Sequence, residues 1–145
     1  MLRLVVDPNV FVSALLSPRG APFRLIELWG QGACEIVVSP LVKEELTRVF
    51  GRDQLRHRLR ASELEGLLAC LDRDGIPVAD VPAPARVTAD PADDYLVALM
   101  EQSDAYALVS GDRHLTSLSA ETCRVLTPRA AVELVEEIDE GHQPT

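Results

Sequence analysis

Short apolar runs alternate with amphipathic helical patterns along most of the chain. The apolar runs predict strands at residues 2–6, 35–38, 78–81, 107–110 and 123–126, the third of them at a sheet edge. The three-to-four-residue spacing predicts helices at residues 10–16, 22–31, 40–50, 61–74 and 90–102, a short one after Asp112, and a last one from Pro128. This alternation is typical of an α/β domain. We expect a three-layer α/β/α sandwich with a mostly parallel central sheet.

The chain has the length of one ordinary domain. Its 145 residues suffice for a single core. We expect one domain over residues 1–138 and a short acidic and polar tail over residues 139–145.

Composition restricts the setting of the protein. No apolar run approaches the ~18 residues needed to cross a bilayer, and the first residues lack the pattern of a signal peptide. We therefore expect a cytoplasmic protein without a membrane partner. The three cysteines are far apart and form no zinc-binding spacing, so buried free thiols are expected.

The net charge of −9 is unevenly distributed. Residues 1–60 carry nine basic and six acidic residues, whereas residues 61–145 carry five basic and seventeen acidic residues. An arginine cluster lies in the first part, at Arg48, Arg52, Arg56, Arg58 and Arg60. Arg48, Arg52 and Arg56 could contact RNA or an acidic partner, and a solvated face is the alternative.

Two aspartates follow predicted strands. Asp7 comes directly after the first strand, and Asp112 comes two residues after the fourth. The carboxyl ends of parallel strands meet at one edge of a sheet, where ligands bind at the point of reversed strand order. The simpler interpretations are a turn residue for Asp7 and a helix N-cap for Asp112.

Helix phase separates further acids from their neighbours. Extrapolated at about 100° per residue, Asp93 lies along the apolar stripe of its helix and Asp94 points away from it. In the helix predicted at residues 40–50, Glu45 lies at the flank of the apolar face, whereas Glu44 is expected to be solvated. The alternatives are a surface ion pair for Glu45, and for Asp93 a favourable position at a helix N-terminus capped by Asp90.

Together, Asp7, Glu45, Asp93 and Asp112 could meet at one edge of the sheet. Several carboxylates in one place repel one another, and Mg²⁺ or Mn²⁺ would relieve that repulsion because both prefer oxygen ligands. Such cations activate water for phosphodiester hydrolysis, so no protein nucleophile is needed. Asn9 could orient a ligand or a substrate oxygen.

Four segments resemble the PIN-domain ribonucleases, and among them the VapC-like toxins of toxin-antitoxin systems. The resemblance spans about residues 2–135. It rests on Val5-Val6-Asp7-Pro8-Asn9-Val10, on Ser39-Pro40 followed by Glu45-Leu46, on Asp90-Pro91-Ala92-Asp93-Asp94, and on Val109-Ser110-Gly111-Asp112-Arg113-His114. It implies a metal-dependent endoribonuclease that uses Asp7, Glu45, Asp93 and Asp112 as catalytic and metal-binding residues. It also implies an RNA substrate, homodimers and a cognate antitoxin protein.

The sequence departs from the family pattern at two positions. Pro8 stands where Thr or Ser is common, and His114 stands where many members have a further acid. Asn9, Asp90, Asp94, Ser110 and His114 are the candidate supporting or substrate-contacting residues. His114 could contact phosphate or assist proton transfer, and a surface histidine is the alternative.

Other classes fit less well. A receiver domain would pair its acids with a lysine after a late strand, but the only lysine is Lys43, in an early helix. A phosphatase of the haloacid dehalogenase type would have Asp at the position of Asn9. The remaining alternative is a non-catalytic PIN-fold module that binds RNA or protein without cutting.

Overall fold

A computed structural model describes residues 1–141. The strands are β1 Leu2–Val6, β2 Cys34–Val38, β3 Ile76–Pro77, β4 Ala107–Val109 and β5 Val125–Leu126. The α-helices are α1 Pro8–Leu16, α2 Ala21–Gly30, α3 Pro40–Phe50, α4 Ala61–Asp74, α5 Asp94–Ser103, α6 Arg113–Thr116 and α7 Pro128–Gly141. Two short 3₁₀ helices, Asp53–Leu55 and Pro91–Asp93, complete the elements.

The five strands form one sheet in the order β3-β2-β1-β4-β5. Every neighbouring pair is parallel. The central strand β1 is paired on both sides, and its last three residues are fully buried. The α/β class and the mostly parallel sheet expected from the alternating pattern are confirmed.

The strand order reverses direction between β1 and β4. The chain first moves outward through β2 to β3 and then crosses back over β1 to β4 and β5. Right-handed crossovers therefore put α1 to α4 on one face and α5 on the other. In agreement, α1 and α2 pack together, α7 packs against α2, and α5 packs against β1 and β4. A cleft is expected where the order reverses.

Local signals fixed several element bounds. The predicted β1, α3 and α4 agree with the structure at both ends. Ser39 caps α3 by accepting a hydrogen bond from the backbone N–H of Val42 at 3.3 Å, and Pro40 occupies the first helical position. Asp112 caps α6, as predicted.

The predicted third strand at residues 78–81 was wrong, because none of these residues belongs to β3. It forms at the sheet edge but pairs at Ile76–Pro77, and residues 79–81 are loop. The apolar run there includes residues that pack without pairing, because the edge strand leaves β2 after the N–H of Val78 bonds the carbonyl oxygen of Val38 at 2.9 Å. The expected continuous helix from residue 90 is likewise a 3₁₀ helix followed by α5.

One main core contains the sheet and the helix faces packed on it. A smaller cluster joins Val12, Val49 and Leu59 between α1, α3 and the segment before α4. Cys34 and Cys123 are buried free thiols, as expected, whereas Cys70 is half-buried.

No helix within residues 1–141 is long and apolar enough to span a membrane. Helix α7 extends to Gly141, so the expected tail begins inside this helix, and residues 142–145 lie outside the described residues.

Candidate active site

Asp7 is held at the end of β1 by both neighbouring elements. Its N–H donates to the carbonyl oxygen of Val109 in β4 at 2.9 Å, which fixes its backbone beside the central strand pair. One carboxylate oxygen accepts from the backbone N–H of Asn9 at 3.0 Å and from its side-chain amide at 3.3 Å. The side chain is 4 % exposed, so Asp7 is a buried N-cap whose orientation is fully determined.

Pro8 occupies the first position of α1. A helix leaves its first N–H groups without intrahelical partners, so the missing donor of a proline costs nothing there. This departure from the family pattern therefore preserves the backbone at Asp7.

Ser110 connects Asp7 with Asp112. Its buried hydroxyl donates to the second carboxylate oxygen of Asp7 at 2.8 Å and accepts from the backbone N–H of Asp112 at 3.0 Å. Asp112 is exposed and accepts from the backbone N–H of His114 at 2.8 Å. The two strand-end acids are thus parts of one hydrogen-bonded network at the point where the strand order reverses.

Asp93 completes this group from the other side. It is half-buried at the end of the 3₁₀ helix that leads into α5. Burial and then, in decreasing order, the charges of Asp7, Asp90, Asp112 and Asp94 together raise its pKa to about 6. Burial likewise raises the pKa of Asp7, against the hydrogen bonds from Asn9 and Ser110, and Asp112 adds to the rise. Asp7, Asp93 and Asp112 therefore lie near enough to repel one another.

The expected orientation of Asp94 was wrong. Its side chain is 1 % exposed, and one carboxylate oxygen accepts from the N–H groups of Val87 and Thr88 and from the Thr88 hydroxyl. The other lies 3.1 Å from Nε of Arg86. Burial acts to raise the pKa of Asp94, but these hydrogen bonds and Arg86 outweigh it and lower the pKa. Asp94 anchors the loop before the site.

The error has a physical cause. The loop before α5 covers the first turn of this helix, so Asp94 is buried by contacts with Val87 and Thr88 and not by the apolar stripe. Residues 91–93, just before it, form a 3₁₀ helix. Asp90 caps this 3₁₀ helix by accepting from the N–H of Ala92 at 2.9 Å. Asp90 thus has the capping role that its position predicted.

Glu45 lies on the site side of α3 but is paired with an arginine. Its two carboxylate oxygens accept from Nε and Nη2 of Arg48 at 3.1 Å and 2.8 Å. Glu44 is exposed, as expected. The surface ion pair considered for Glu45 is therefore present, and Glu45 does not contact the three aspartates directly in any described hydrogen bond.

Two residues of this region had no signal in the sequence. Tyr95 is 9 % exposed, and its hydroxyl has no hydrogen-bonding partner within residues 1–141. Burial raises the pKa of Tyr95 far above its ordinary value, and the charges of Glu45, Asp7, Asp80 and Asp93 add to the rise. Tyr95 is therefore near enough to Glu45 and to the aspartates for their charges to act on it.

Asp80 approaches the same place from the loop after β3. One of its carboxylate oxygens accepts from the N–H of Leu41, in the first turn of α3, at 2.9 Å. The other is buried without a hydrogen-bonding partner in the described part of the chain. Asp80 thus adds a further carboxylate beside Tyr95.

A cleft of about 370 Å³ opens beside the strand-end acids. It is lined by Asp7, Asn9, Val10, Ser13, Pro22, Gly111, Asp112 and Pro128. Four of these residues, Asn9, Val10, Pro22 and Pro128, belong to the first turns of α1, α2 and α7. Helix N-termini carry partial positive charge, so the cleft offers a favourable environment to an anionic group next to the carboxylates.

The other predicted residues are peripheral to this cleft. His114 is exposed, and its described contact with the site is the backbone hydrogen bond to Asp112. Arg52 and Arg56 are also exposed, and Arg56 pairs with Asp53 at 3.3 Å. Arg48 is the member of the arginine cluster that contacts a predicted site acid.

The donor set fits a hard divalent cation. Asp7, Asp93 and Asp112 would supply oxygen ligands, and their mutual repulsion is the condition that such a cation would relieve. Within residues 1–141, however, no three His, Cys, Asp or Glu side chains are already arranged to hold a metal ion. Glu45 would have to exchange its pairing with Arg48 to join them.

Comparison with protein-family models gives a match over most of the chain. Residues 3–114 match the family model described as PIN domain. This range includes Asp7, Glu45, Asp93 and Asp112. A search of curated proteins finds no match to this chain.

Proposed function

We propose, from the premise that this chain belongs to the PIN-domain family, that it is a divalent-metal-dependent endoribonuclease acting in the cytoplasm. PIN domains are typically nucleases. The observation that carries the proposal is the convergence of Asp7, Asp93 and Asp112 where the strand order reverses. They are close enough for Asp112 to raise the pKa of Asp7, and for Asp7 and Asp112 to raise that of Asp93.

The chain's own residues would divide the work as follows. Asp7, Asp93 and Asp112 would hold Mg²⁺ or Mn²⁺, with Glu45 as the fourth acid. Asn9 and Ser110 keep Asp7 in one orientation, and Ser110 also fixes the backbone of Asp112. When bound, the cation supplies positive charge against the phosphate and makes water more acidic.

The cleft is the place where we expect the RNA substrate to bind. The first turns of α1, α2 and α7 would receive a phosphate of the RNA, and Arg48, Arg52 and Arg56 would extend that positive surface. The PIN family and the order of the acids also support a VapC-like toxin that is held by an antitoxin and forms a homodimer. The exposed arginine cluster offers a charged surface to such a partner.

A non-catalytic module remains the second candidate. Two observations support it: the pairing of Glu45 with Arg48, and the lack of a set of three acids already arranged for a metal among residues 1–141. The two candidates differ in metal binding and in cleavage.

Cleavage by the purified chain tests the proposal. We expect a mixed cellular RNA pool to be cut with Mg²⁺ or Mn²⁺ and to remain intact with EDTA, with defined ends on mapping. Asp7→Asn and Asp112→Asn should each remove the activity by at least about 100-fold, because each loses a ligand charge. Glu44→Gln is the matched control, since Glu44 is exposed on the same helix as Glu45.

Two results would decide against the enzyme. Identical products from wild type and both Asn variants would identify a contaminating nuclease. RNA binding without cleavage, and without Mn²⁺ binding in calorimetry, would identify the non-catalytic module. For the toxin, induced expression should arrest growth with wild type and leave it unaffected with Asp7→Asn.

A further inference from the structure

Glu45 and Tyr95 present two unusual states at neighbouring positions. Glu45 commits both carboxylate oxygens to Arg48, whose side chain is 56 % exposed, although Glu45 itself is 29 % exposed. Tyr95 is buried, and its hydroxyl has no acceptor within residues 1–141, although burial and then the charges of Glu45, Asp7, Asp80 and Asp93 raise its pKa. Both acceptor oxygens of Glu45 are therefore paired with an exposed arginine, while the buried Tyr95 hydroxyl has no acceptor within residues 1–141.

An unpaired buried hydroxyl is costly. Removing such a group from water without a hydrogen bond opposes folding, so native structures pair nearly all of them. An exposed ion pair on one helix, in contrast, stabilises little and is easily exchanged. The two observations agree if Glu45 has a second arrangement, in which it turns from Arg48 toward the aspartates and accepts the Tyr95 hydroxyl.

We infer that Tyr95 is a positioning residue whose hydroxyl donates to Glu45 in the metal-bound arrangement, and that Arg48 competes for Glu45 in the metal-free one. The inference rests on the proposed function, because it assigns how Glu45 joins the metal ligands. When metal binds, this change of partner at Glu45 would also free the Arg48 guanidinium. Guanidinium groups bind phosphate well, so metal binding would prepare a contact for the RNA backbone.

The two residues should affect metal affinity in opposite directions. In calorimetric titration of the RNA-free full chain with Mn²⁺, Tyr95→Phe should weaken binding about tenfold, which is the loss of one hydrogen bond to a charged group. Arg48→Met keeps the aliphatic stem and removes the competitor, so it should tighten binding about two- to threefold. Tyr106→Phe and Arg19→Met, the latter at an exposed arginine, are the controls and should bind as wild type.

Two further measurements distinguish positioning from general damage. Metal-free Tyr95→Phe should be at least as stable as wild type in urea, because it removes an unpaired buried hydroxyl. Mn²⁺ should change the near-ultraviolet tyrosine band in wild type and in Tyr106→Phe, and leave it unchanged in Tyr95→Phe. The chain has two tyrosines, so these variants assign the signal.

The outcomes separate this inference from the proposed function. If wild type binds no Mn²⁺, both fail. If wild type binds and Asp7→Asn does not, while Tyr95→Phe binds as tightly as wild type, the inference alone fails. It also fails if Tyr95→Phe loses metal affinity and metal-free stability together, or if Arg48→Met binds more weakly than wild type.

Discussion

Asp93 and Asp94 are neighbours in the chain with opposite environments. Asp94 is buried but accepts several hydrogen bonds and pairs with Arg86, so its charge is compensated. Asp93 is half-buried among other acids, and its pKa is raised to about 6. Adjacent carboxylates therefore differ: Asp94 fixes the loop, whereas burial and the neighbouring acids disfavour the charged form of Asp93.

The raised pKa of Asp93 predicts a pH-dependent stability for the metal-free protein. The pKa of Asp93 is about 4 in the unfolded state and about 6 in the folded state. Between these two pH values the native state therefore binds more protons than the unfolded state. Stability should therefore fall as the pH rises through this window and stay lower above it. Asp93→Asn should be more stable than wild type at pH 7.5 in EDTA, with a smaller difference at pH 4.5.

Urea unfolding at the two pH values measures this effect. Asp104→Asn is the control, because Asp104 is exposed at the end of α5 and its left-handed backbone (φ 54°) suits asparagine. A difference between Asp93→Asn and wild type that is the same at both pH values would contradict the argument.

At the scale of elements, the turn from α4 into β3 depends on one glycine. A Cβ at Gly75 would lie 2.5 Å from the carbonyl oxygen of Leu71 and 2.8 Å from Cγ1 of Val38. Both neighbours are held, the first by the helix and the second by the sheet. The close approach therefore fixes the position of the edge strand that precedes Asp80.

Two alanine substitutions should consequently have opposite effects. Gly75→Ala should lower the free energy of unfolding by about 1–3 kcal/mol, because neither neighbour can move without disturbing its element. Gly66→Ala should raise it by about 0.5–1 kcal/mol, since Gly66 is exposed inside α4 and its Cβ would meet nothing within 4 Å. Urea unfolding tests both, and equal effects would contradict the packing argument.

Elements with strong local signals could be predicted from the sequence. A proline after a capping residue gave the start of α3, and the apolar run before Asp7 gave β1, because caps and buried strands are encoded by adjacent residues. The edge strand and the 3₁₀ helix before α5 were misplaced. Their bounds depend on pairing with β2 and on the hydrogen bonds of Asp94, which connect distant parts of the chain.

The residues of the candidate site likewise divide into those with a local sequence signal and those placed by distant parts of the chain. Asp7 and Asp112 were predictable because each directly follows a strand or a strand-end turn. Tyr95 was not, because it lies in an apolar helix and resembles a core residue, and Asp80 was not, because it lies in a loop rich in small residues and proline. Only the packing of α5 against β1 and β4, with the loop folded onto α3, brings them to the acids.

For the whole molecule, the fold holds a group of like charges that opposes its own stability. Asp7, Asp93, Asp112 and Asp80 lie around one region of a chain whose net charge is −9. Anything that binds these charges in the folded state and not in the unfolded state must stabilise the fold by mass action. A metal ion that bound these acids would therefore raise the free energy of unfolding, whether or not the chain cleaves RNA.

This linkage gives a prediction that needs no substrate. At a free Mn²⁺ concentration of about 100 times its dissociation constant, wild type should gain about 2.7 kcal/mol. For a domain of this size, that gain corresponds to a rise in Tm of roughly 5–10 °C, measured by calorimetry and reversed by EDTA. Asp7→Asn should show a much smaller rise, because it removes the most rigidly held ligand, whereas Glu44→Gln should respond as wild type. An equal rise in Asp7→Asn would mean that Mn²⁺ binds elsewhere, since surface carboxylates remain in every variant.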